Sequence, residues 1–218
     1  MAEENNIISC NKYKVYLFEN NQLKMKNSEI SSLLYKFENL GIGNSSDGAT
    51  MIGKAPHVGP KAWLNILFPT LNKEELFYLS EELKTEIPKE YADFLLNFSN
   101  GLNVLSSTLS LYGLRKQINR DIEANVRQPY SIITPNLYER PHNAKDSYFF
   151  IGGYNWDGSH LYIDKETNIV HCCERWDATS RKQWNSLEEM ILSEIKRLYK
   201  LFDDNGVELD EDKETIPY

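Results

Sequence analysis

Residues 147–174 read SYFFIGGYNWDGSHLYIDKETNIVHCCE, and this stretch decides the fold class. Runs of aromatic and β-branched residues alternate here with Gly, Asn and Asp, a pattern typical of antiparallel strands joined by tight turns. We predict that the Gly152-Gly153 pair lets the chain turn, and that strands lie at 147–151, 159–164 and 169–175. The glycines and histidines of the stretch could therefore form a chemical site or only punctuate a sheet.

The pairing of the last two strands follows from their apolar residues. If residues 165–168 form the turn, Leu161 lies opposite Cys172, and both face the core. The other face then carries His160 opposite Cys173. In this register Cys172 has apolar neighbours, which makes a thiol unreactive.

His160, His171 and Cys173 share the second face and could bind zinc. His171 is, however, offset diagonally by about 7–8 Å, and paired C-x-x-C motifs are absent from the sequence. We predict no metal and no cofactor, and a metal shared by these three side chains stays an open alternative.

Helical patterns flank these strands. Apolar residues at helical spacing predict helices that begin after Ser28, Asn72 and Ser186, the last with a capping box formed by Ser186 and Glu189, and a helix with Pro88 in its first turn. Helices, then strands, then a helix indicate an α+β fold with an antiparallel sheet. Residues 12–26 suggest a further hairpin, and the Gly-, Ser- and Pro-rich stretch at 41–61 suggests a loop or linker.

We predict three segments. Residues 1–60 form an N-terminal extension of hairpin, helix and linker, residues 61–205 form the α+β domain, and residues 206–218 form an acidic tail. Residues 203–218 hold seven acidic residues and one lysine, a charge of −6 out of the net −8. Such a segment is typical of a solvated, frayed tail, or of an arm that attracts a basic partner.

Composition and motifs exclude several functions. Apolar runs such as LNILF at 64–68 are far shorter than the roughly 20 residues that cross a bilayer, and the acidic N-terminus is no secretory signal. Three cysteines, two of them adjacent, make a disulfide framework improbable. We expect a cytoplasmic protein without a membrane partner. Nucleic acid is excluded as a ligand because Lys and Arg are not clustered.

Catalytic motifs are also missing. The chain has no G-x-S-x-G elbow and no P-loop lysine, so we predict that it is not an enzyme. Asp157 and Asp164 near one turn leave a hydrolase with paired carboxylates, or a metal-dependent one, as an alternative.

Aromatic and arginine side chains concentrate near the hairpin and in the loop before the last helix. Trp, Tyr and Arg dominate the centres of protein interfaces. We predict contacts with a protein partner for Tyr154, Trp156, Asp157, Arg175, Trp176, Arg181 and Trp184. Packing of the Trp rings in the core is the alternative.

Three motifs resemble the SUKH superfamily. IPKEYADFLLNFSNGLNVLSSTLSLYGL at 87–114 resembles its opening motif, a Pro-led helix with an Asn-Gly stop and a strand ending near Tyr-Gly. FFIGGYNWDGSHLYID at 149–164 resembles the central hairpin, with Ser159 where the family usually has an acidic residue. RWDATSRKQWNSLEEMI at 175–191 resembles the closing loop and helix. The resemblance covers about residues 70–202.

This resemblance implies a non-enzymatic binding domain with N-terminal helices, a central antiparallel sheet and a C-terminal amphipathic helix. Bacterial members look mainly like immunity proteins that neutralise toxins, often nucleases, and fungal relatives include regulators of cell-wall assembly. We therefore expect an immunity protein that binds a cognate, basic toxin. A regulatory adaptor of cell-wall or signalling pathways, with the acidic tail as its docking arm, is the alternative.

Overall fold

The computed structural model describes residues 29–116 and 125–218. Their strands form one nine-stranded antiparallel sheet in which sequence neighbours are also neighbours in space. The strands are β1 Ile42–Asn44, β2 Thr50–Lys54, β3 Trp63–Leu67, β4 Leu102–Val104, β5 Leu109–Leu111, β6 Tyr148–Tyr154, β7 His160–Asp164, β8 Val170–Cys173 and β9 Lys182–Trp184. The α+β fold predicted from the sequence is confirmed.

The helices lie before, between and after the strands. They are α1 Glu29–Leu34, continued by a 3-10 helix at Tyr35–Leu40, then α2 Lys73–Leu83, α3 Lys89–Asn97 and α4 Leu187–Leu198. Helix α4 begins where predicted, because the Ser186 hydroxyl accepts from the backbone N–H of Glu189 at 3.1 Å. The reciprocal bond of the predicted capping box is replaced, since the Glu189 carboxylate accepts from the N–H of Asn185 instead.

One large core unites the helices with one face of the sheet. It runs from Ile30 in α1 to Phe202 after α4 and includes Leu161 and Cys172. Strands β7 and β8 pair as predicted, with Leu161 opposite Cys172. The local pattern of apolar residues was therefore enough to assign this register.

The other face of the sheet has a smaller core made of Phe150, Tyr162, Cys173 and Ala178. The Tyr162 hydroxyl donates to the carbonyl of Ala178 at 3.0 Å and so ties the loop after β8 to the sheet.

The stretch at 41–61, predicted to be a loop or linker, contains β1 and β2 instead. Strand β2 pairs with β3, and Phe37 and Ala55 belong to the large core. These strands were not predicted, because a segment rich in glycine and serine lacks the alternation of apolar and polar residues that indicates a strand. The hairpin predicted at 12–26 lies outside the described residues, and the division of the chain at residues 60 and 205 stays a prediction.

Strand β6 continues through the two glycines to Tyr154, so the turn predicted at Gly152-Gly153 is wrong. A Cβ at Gly152 would lie 2.4 Å from the carbonyl oxygen of Ser110, and one at Gly153 would lie 2.4 Å from that of Ser159. The glycines are needed where neighbouring backbones come close, and the turn follows at 155–159.

The acidic segment is not frayed. Residue Phe202 forms an antiparallel bridge with Glu208, and Thr215 is buried. The Arg197 guanidinium in α4 donates to the carbonyl of Thr215 at 2.6 Å. The described helices, taken over residues 29–116 and 125–218, include none that is long and apolar enough to cross a membrane.

Candidate protein-binding surface

The turn at 155–159 has a fixed conformation that presents Trp156 to solvent. The Asp157 carboxylate accepts from the N–H of Ser159 at 2.8 Å, and Gly158 adopts a positive φ of 77°. A Cβ at Gly158 would approach the Arg175 side chain at 3.0 Å, so the turn packs directly against this arginine. Trp156, two residues before Gly158, is 40% exposed.

Arg175 holds the second exposed indole. Its guanidinium carbon lies 4.8 Å from the centre of the Trp176 ring, a cation–π arrangement. The same guanidinium lies 3.5 Å from the carboxylate of Glu139. Trp176 nevertheless stays 56% exposed, so a large apolar ring is kept in a defined position at the surface.

A π-helical turn at Thr134–Tyr138 adds one aromatic residue, Tyr138, that no sequence pattern indicated. The Asn136 amide fastens this turn to β6, because it donates to the carbonyl of Phe150 at 2.8 Å and accepts from its N–H at 2.9 Å. Leu137 and Tyr138 are left outside, with Tyr138 79% exposed. Short π-helical segments are frequent at functional sites.

Tyr130 completes the group. Its ring lies 6.1 Å from that of Tyr112, whose pKa is raised to about 12 by burial and by the nearby Tyr130 and Glu139. The positive charge of Arg175 acts in the opposite direction and lowers the pKa of the Tyr112 hydroxyl. Arg175 contacts Trp176, Glu139 and the backbone at Gly158. We define the aromatic surface as Trp176 and the exposed residues that are close in sequence to Glu139 or Gly158 or that contact Tyr112: Tyr130, Leu137, Tyr138, Trp156 and Trp176.

Two predicted contact residues lie in the core instead. Tyr154 is 3% exposed and donates its hydroxyl to the carboxylate of Glu194 at 2.7 Å. Trp184 is 4% exposed and belongs to the large core. The expectation that these two rings meet a partner is therefore corrected, since neither presents its face to solvent.

Arg181 and Asp157 are at the surface but already have intramolecular partners. Arg181 lies 3.4 Å from the carboxylate of Glu174, and its guanidinium carbon is 5.2 Å from the centre of the Tyr218 ring. The Tyr218 hydroxyl is 3.4 Å from the Asp157 carboxylate. The last described residues thus reach the turn that carries Trp156.

The side chains considered for zinc are arranged for packing. His160 is buried against Phe150, with 5.5 Å between the ring centres, and neither ring nitrogen has a hydrogen-bond partner among the described residues. His171 stacks on Tyr162, and its Nδ1 lies 2.8 Å from the Ser180 hydroxyl. Within 29–116 and 125–218, no three His, Cys, Asp or Glu residues lie where they could hold a metal ion.

The candidate nucleophile and carboxylates lack catalytic geometry. Burial raises the pKa of Cys172 far above that of a free thiol, and burial raises the pKa of Cys173 to about 12, so both stay protonated. Asp157 precedes β7 and Asp164 ends it. The strand alone spans about 13 Å, more than the roughly 5–9.5 Å between the carboxylates of glycoside hydrolases.

Comparison with the curated proteins gave no match. The model of the SMI1 / KNR4 family (SUKH-1) matches residues 70–193, more than half of the chain. The matched span includes α2, α3, β4 to β9 and the whole aromatic surface. The chain therefore belongs to the SMI1 / KNR4 family (SUKH-1), as the three sequence motifs indicated.

Proposed function

We propose that this protein is an immunity protein that binds a cognate toxin through its aromatic surface and so neutralises it. A SUKH domain indicates protein–protein interaction in general. The observation that carries the proposal is the position of Trp176, which is 56% exposed although Arg175 holds it in place. Exposed apolar patches rimmed by polar groups are typical of protein-binding sites.

The aromatic surface has the composition of an interface centre. Tyrosine, tryptophan and arginine supply most binding hot spots, and rigid rings lose little conformational entropy when they are covered. The rings of Tyr138, Trp156 and Trp176 are exposed, while the turns that carry them are tied to β6 and to Arg175. Such pre-organisation lowers the cost of binding.

Charge then acts at longer range. Two ion pairs lie next to the aromatic surface, Arg175–Glu139 and Arg181–Glu174. Most of the net charge of −8 lies in 203–218 instead. An acidic protein of this kind attracts a basic toxin and speeds encounter, and the aromatic contacts slow dissociation. In this proposal the protein is cytoplasmic and acts without an enzymatic step, a membrane or nucleic acid.

The packing of the tail bears on the alternative function. A regulatory adaptor with a free, acidic docking arm requires residues 206–218 to be detached, whereas Thr215 is buried and bound to Arg197. We therefore favour the immunity function over the adaptor.

The test is binding to the toxin domain encoded beside this gene, measured by calorimetry and stopped-flow fluorescence. We expect Trp176→Ala and Tyr138→Ala each to weaken binding by about tenfold or more. Tyr78→Ala is the matched control, since Tyr78 lies on α2 and is 54% exposed. We also expect the association rate to fall as the salt concentration rises.

Two results would contradict the proposal. One is that the neighbouring toxin domain does not bind the wild-type protein. The other is that Tyr78→Ala weakens binding as much as Trp176→Ala, because the aromatic surface would then have no special role.

A further inference from the structure

The Tyr218 side chain contacts Asp157, Ser159 and Arg181, and we name the site formed by these three residues the tyrosine notch. Its hydroxyl oxygen is 3.0 Å from the Ser159 Oγ and 3.4 Å from the Asp157 carboxylate. The Arg181 guanidinium carbon lies 5.2 Å from the centre of its ring. Three different groups therefore meet one tyrosine side chain.

The polar floor of the notch is pre-formed. Ser159 is fully buried, and both its N–H and its hydroxyl donate to Asp157 Oδ1. Since the serine proton is used in this way, the Ser159 oxygen is left as an acceptor toward Tyr218. The second oxygen of Asp157 is another acceptor on the same side.

These groups recognise a phenol. A phenolic hydroxyl supplies one proton that the two acceptors can share, and the electron-rich face of the ring attracts the Arg181 cation. Partial burial raises the pKa of Tyr218, so its hydroxyl keeps the proton that it donates. A phenylalanine ring would leave the Ser159 acceptor unpaired, and a phosphorylated tyrosine would be repelled by Asp157.

The occupant of the notch is held loosely compared with the chain before it. Thr215 is 2% exposed and bound by Arg197, whereas Tyr218, three residues later, is 36% exposed. The ring can therefore leave the notch without unfolding the anchor. The notch also adjoins the aromatic surface, because Asp157 directly follows Trp156.

We propose that the tyrosine notch is a binding subsite for a tyrosine side chain, which Tyr218 fills in the free protein and a tyrosine of the protein partner takes over in the complex. The identity of that partner rests on the function proposed above. The subsite itself can be tested without any partner, with N-acetyl-L-tyrosinamide as the probe.

The experiment compares full-length wild-type protein with Tyr218→Ala by NMR titration, read at the backbone amides of Ser159 and Arg181. We expect Tyr218→Ala to bind the probe with a millimolar dissociation constant, as befits a ligand of this size. Wild-type protein should bind it at least about twofold more weakly, because Tyr218 competes from the same chain at millimolar effective concentration, comparable with the dissociation constant.

Further variants separate this subsite from unspecific contact. Adding Arg181→Gln to Tyr218→Ala should weaken probe binding severalfold, and N-acetyl-L-phenylalaninamide should bind Tyr218→Ala more weakly than the tyrosine probe. Tyr78→Ala, which removes an exposed tyrosine on α2, should leave the response of wild-type protein unchanged.

The inference is overturned if Tyr218→Ala does not bind the probe, if wild-type protein binds it equally well, or if the phenylalanine probe binds equally tightly. Failure of toxin binding would refute the proposed function and leave these titrations unaffected. A failed titration would refute the notch and leave toxin binding through Trp176 unaffected.

Discussion

Arg197→Met should be one of the most destabilising substitutions on α4. The Glu194 side chain is 2% exposed and accepts from the Arg197 guanidinium at 2.7 and 2.9 Å and from the Tyr154 hydroxyl at 2.7 Å. Methionine keeps the aliphatic volume but leaves the carboxylate with the tyrosine alone. It also removes the bond to the carbonyl of Thr215.

Breaking a buried ion pair from one side costs about 3–5 kcal/mol, because the remaining charge is left without compensation. The Arg197 side chain is 29% exposed, and water can replace part of what it supplies. We therefore expect the lower end, about 3 kcal/mol, which for a chain of this size lowers the melting temperature by about 6–12 °C.

The assay is urea unfolding followed by tryptophan fluorescence, with thermal unfolding in parallel. Adding Glu194→Gln to Arg197→Met should restore most of the lost free energy, since both charges are then gone and the amide oxygen can still accept from the Tyr154 hydroxyl. Arg175→Met is the matched control. Its pair with Glu139 is 47% and 44% exposed, and such surface pairs contribute less than about 1 kcal/mol.

A decrease in the free energy of unfolding below about 1 kcal/mol for Arg197→Met would refute this reasoning, because a buried carboxylate such as Glu194 is strongly destabilised when its cation is removed. A double variant no more stable than the single one would refute it as well. The tail packing would then have to depend on the apolar contacts of Ile216 rather than on the bond to Thr215.

Two further predictions concern pH and backbone conformation. Burial, and next the Arg175 charge, lower the pKa of His160, so the folded state favours the neutral ring. The free energy of unfolding should therefore be complete above about pH 6.5 and decline below it, by at most about 1.4 kcal/mol at pH 5.5. His160→Phe should show a correspondingly smaller decline when urea unfolding is compared at about pH 6.5 and pH 5.5. Gly53→Ala should cost about 1–3 kcal/mol in the same assay, because Gly53 has a φ of 71° and a Cβ there would lie 2.8 Å from that of Phe37. Gly59→Ala is the control, since a Cβ there would lie 4.0 Å from the nearest atom, and it should change the free energy of unfolding by less than about 1 kcal/mol. Equal effects of the two substitutions would show that residues 29–60 do not pack as described.

Features that depend on neighbours along the chain were predictable. Helix α4 begins after Ser186 because capping and apolar spacing are local, and the pairing of Leu161 with Cys172 follows from a four-residue turn. The family resemblance had the same origin, since its motifs combine caps, turns and apolar anchors within short windows.

The candidate site was only partly predictable. Trp156 and Trp176 are exposed as expected, but Tyr154 and Trp184 are buried by elements distant in sequence. Nothing in the sequence distinguishes these four rings, because burial of an aromatic residue depends on what packs over it. The exposed Tyr138 was missed because a bond between Asn136 and Phe150, 14 residues apart, fastens the π-helical turn.

The sequence by itself determined the α+β class, the register of β7 and β8 and the family, because periodicity, turns and caps act over a few residues. Only the tertiary structure decided that 41–61 supplies two strands, that the acidic tail is anchored by Arg197 and that Tyr218 lies under Arg181. These depend on contacts between distant segments, whose free energy exists only after the sheet and α4 have brought the partners together.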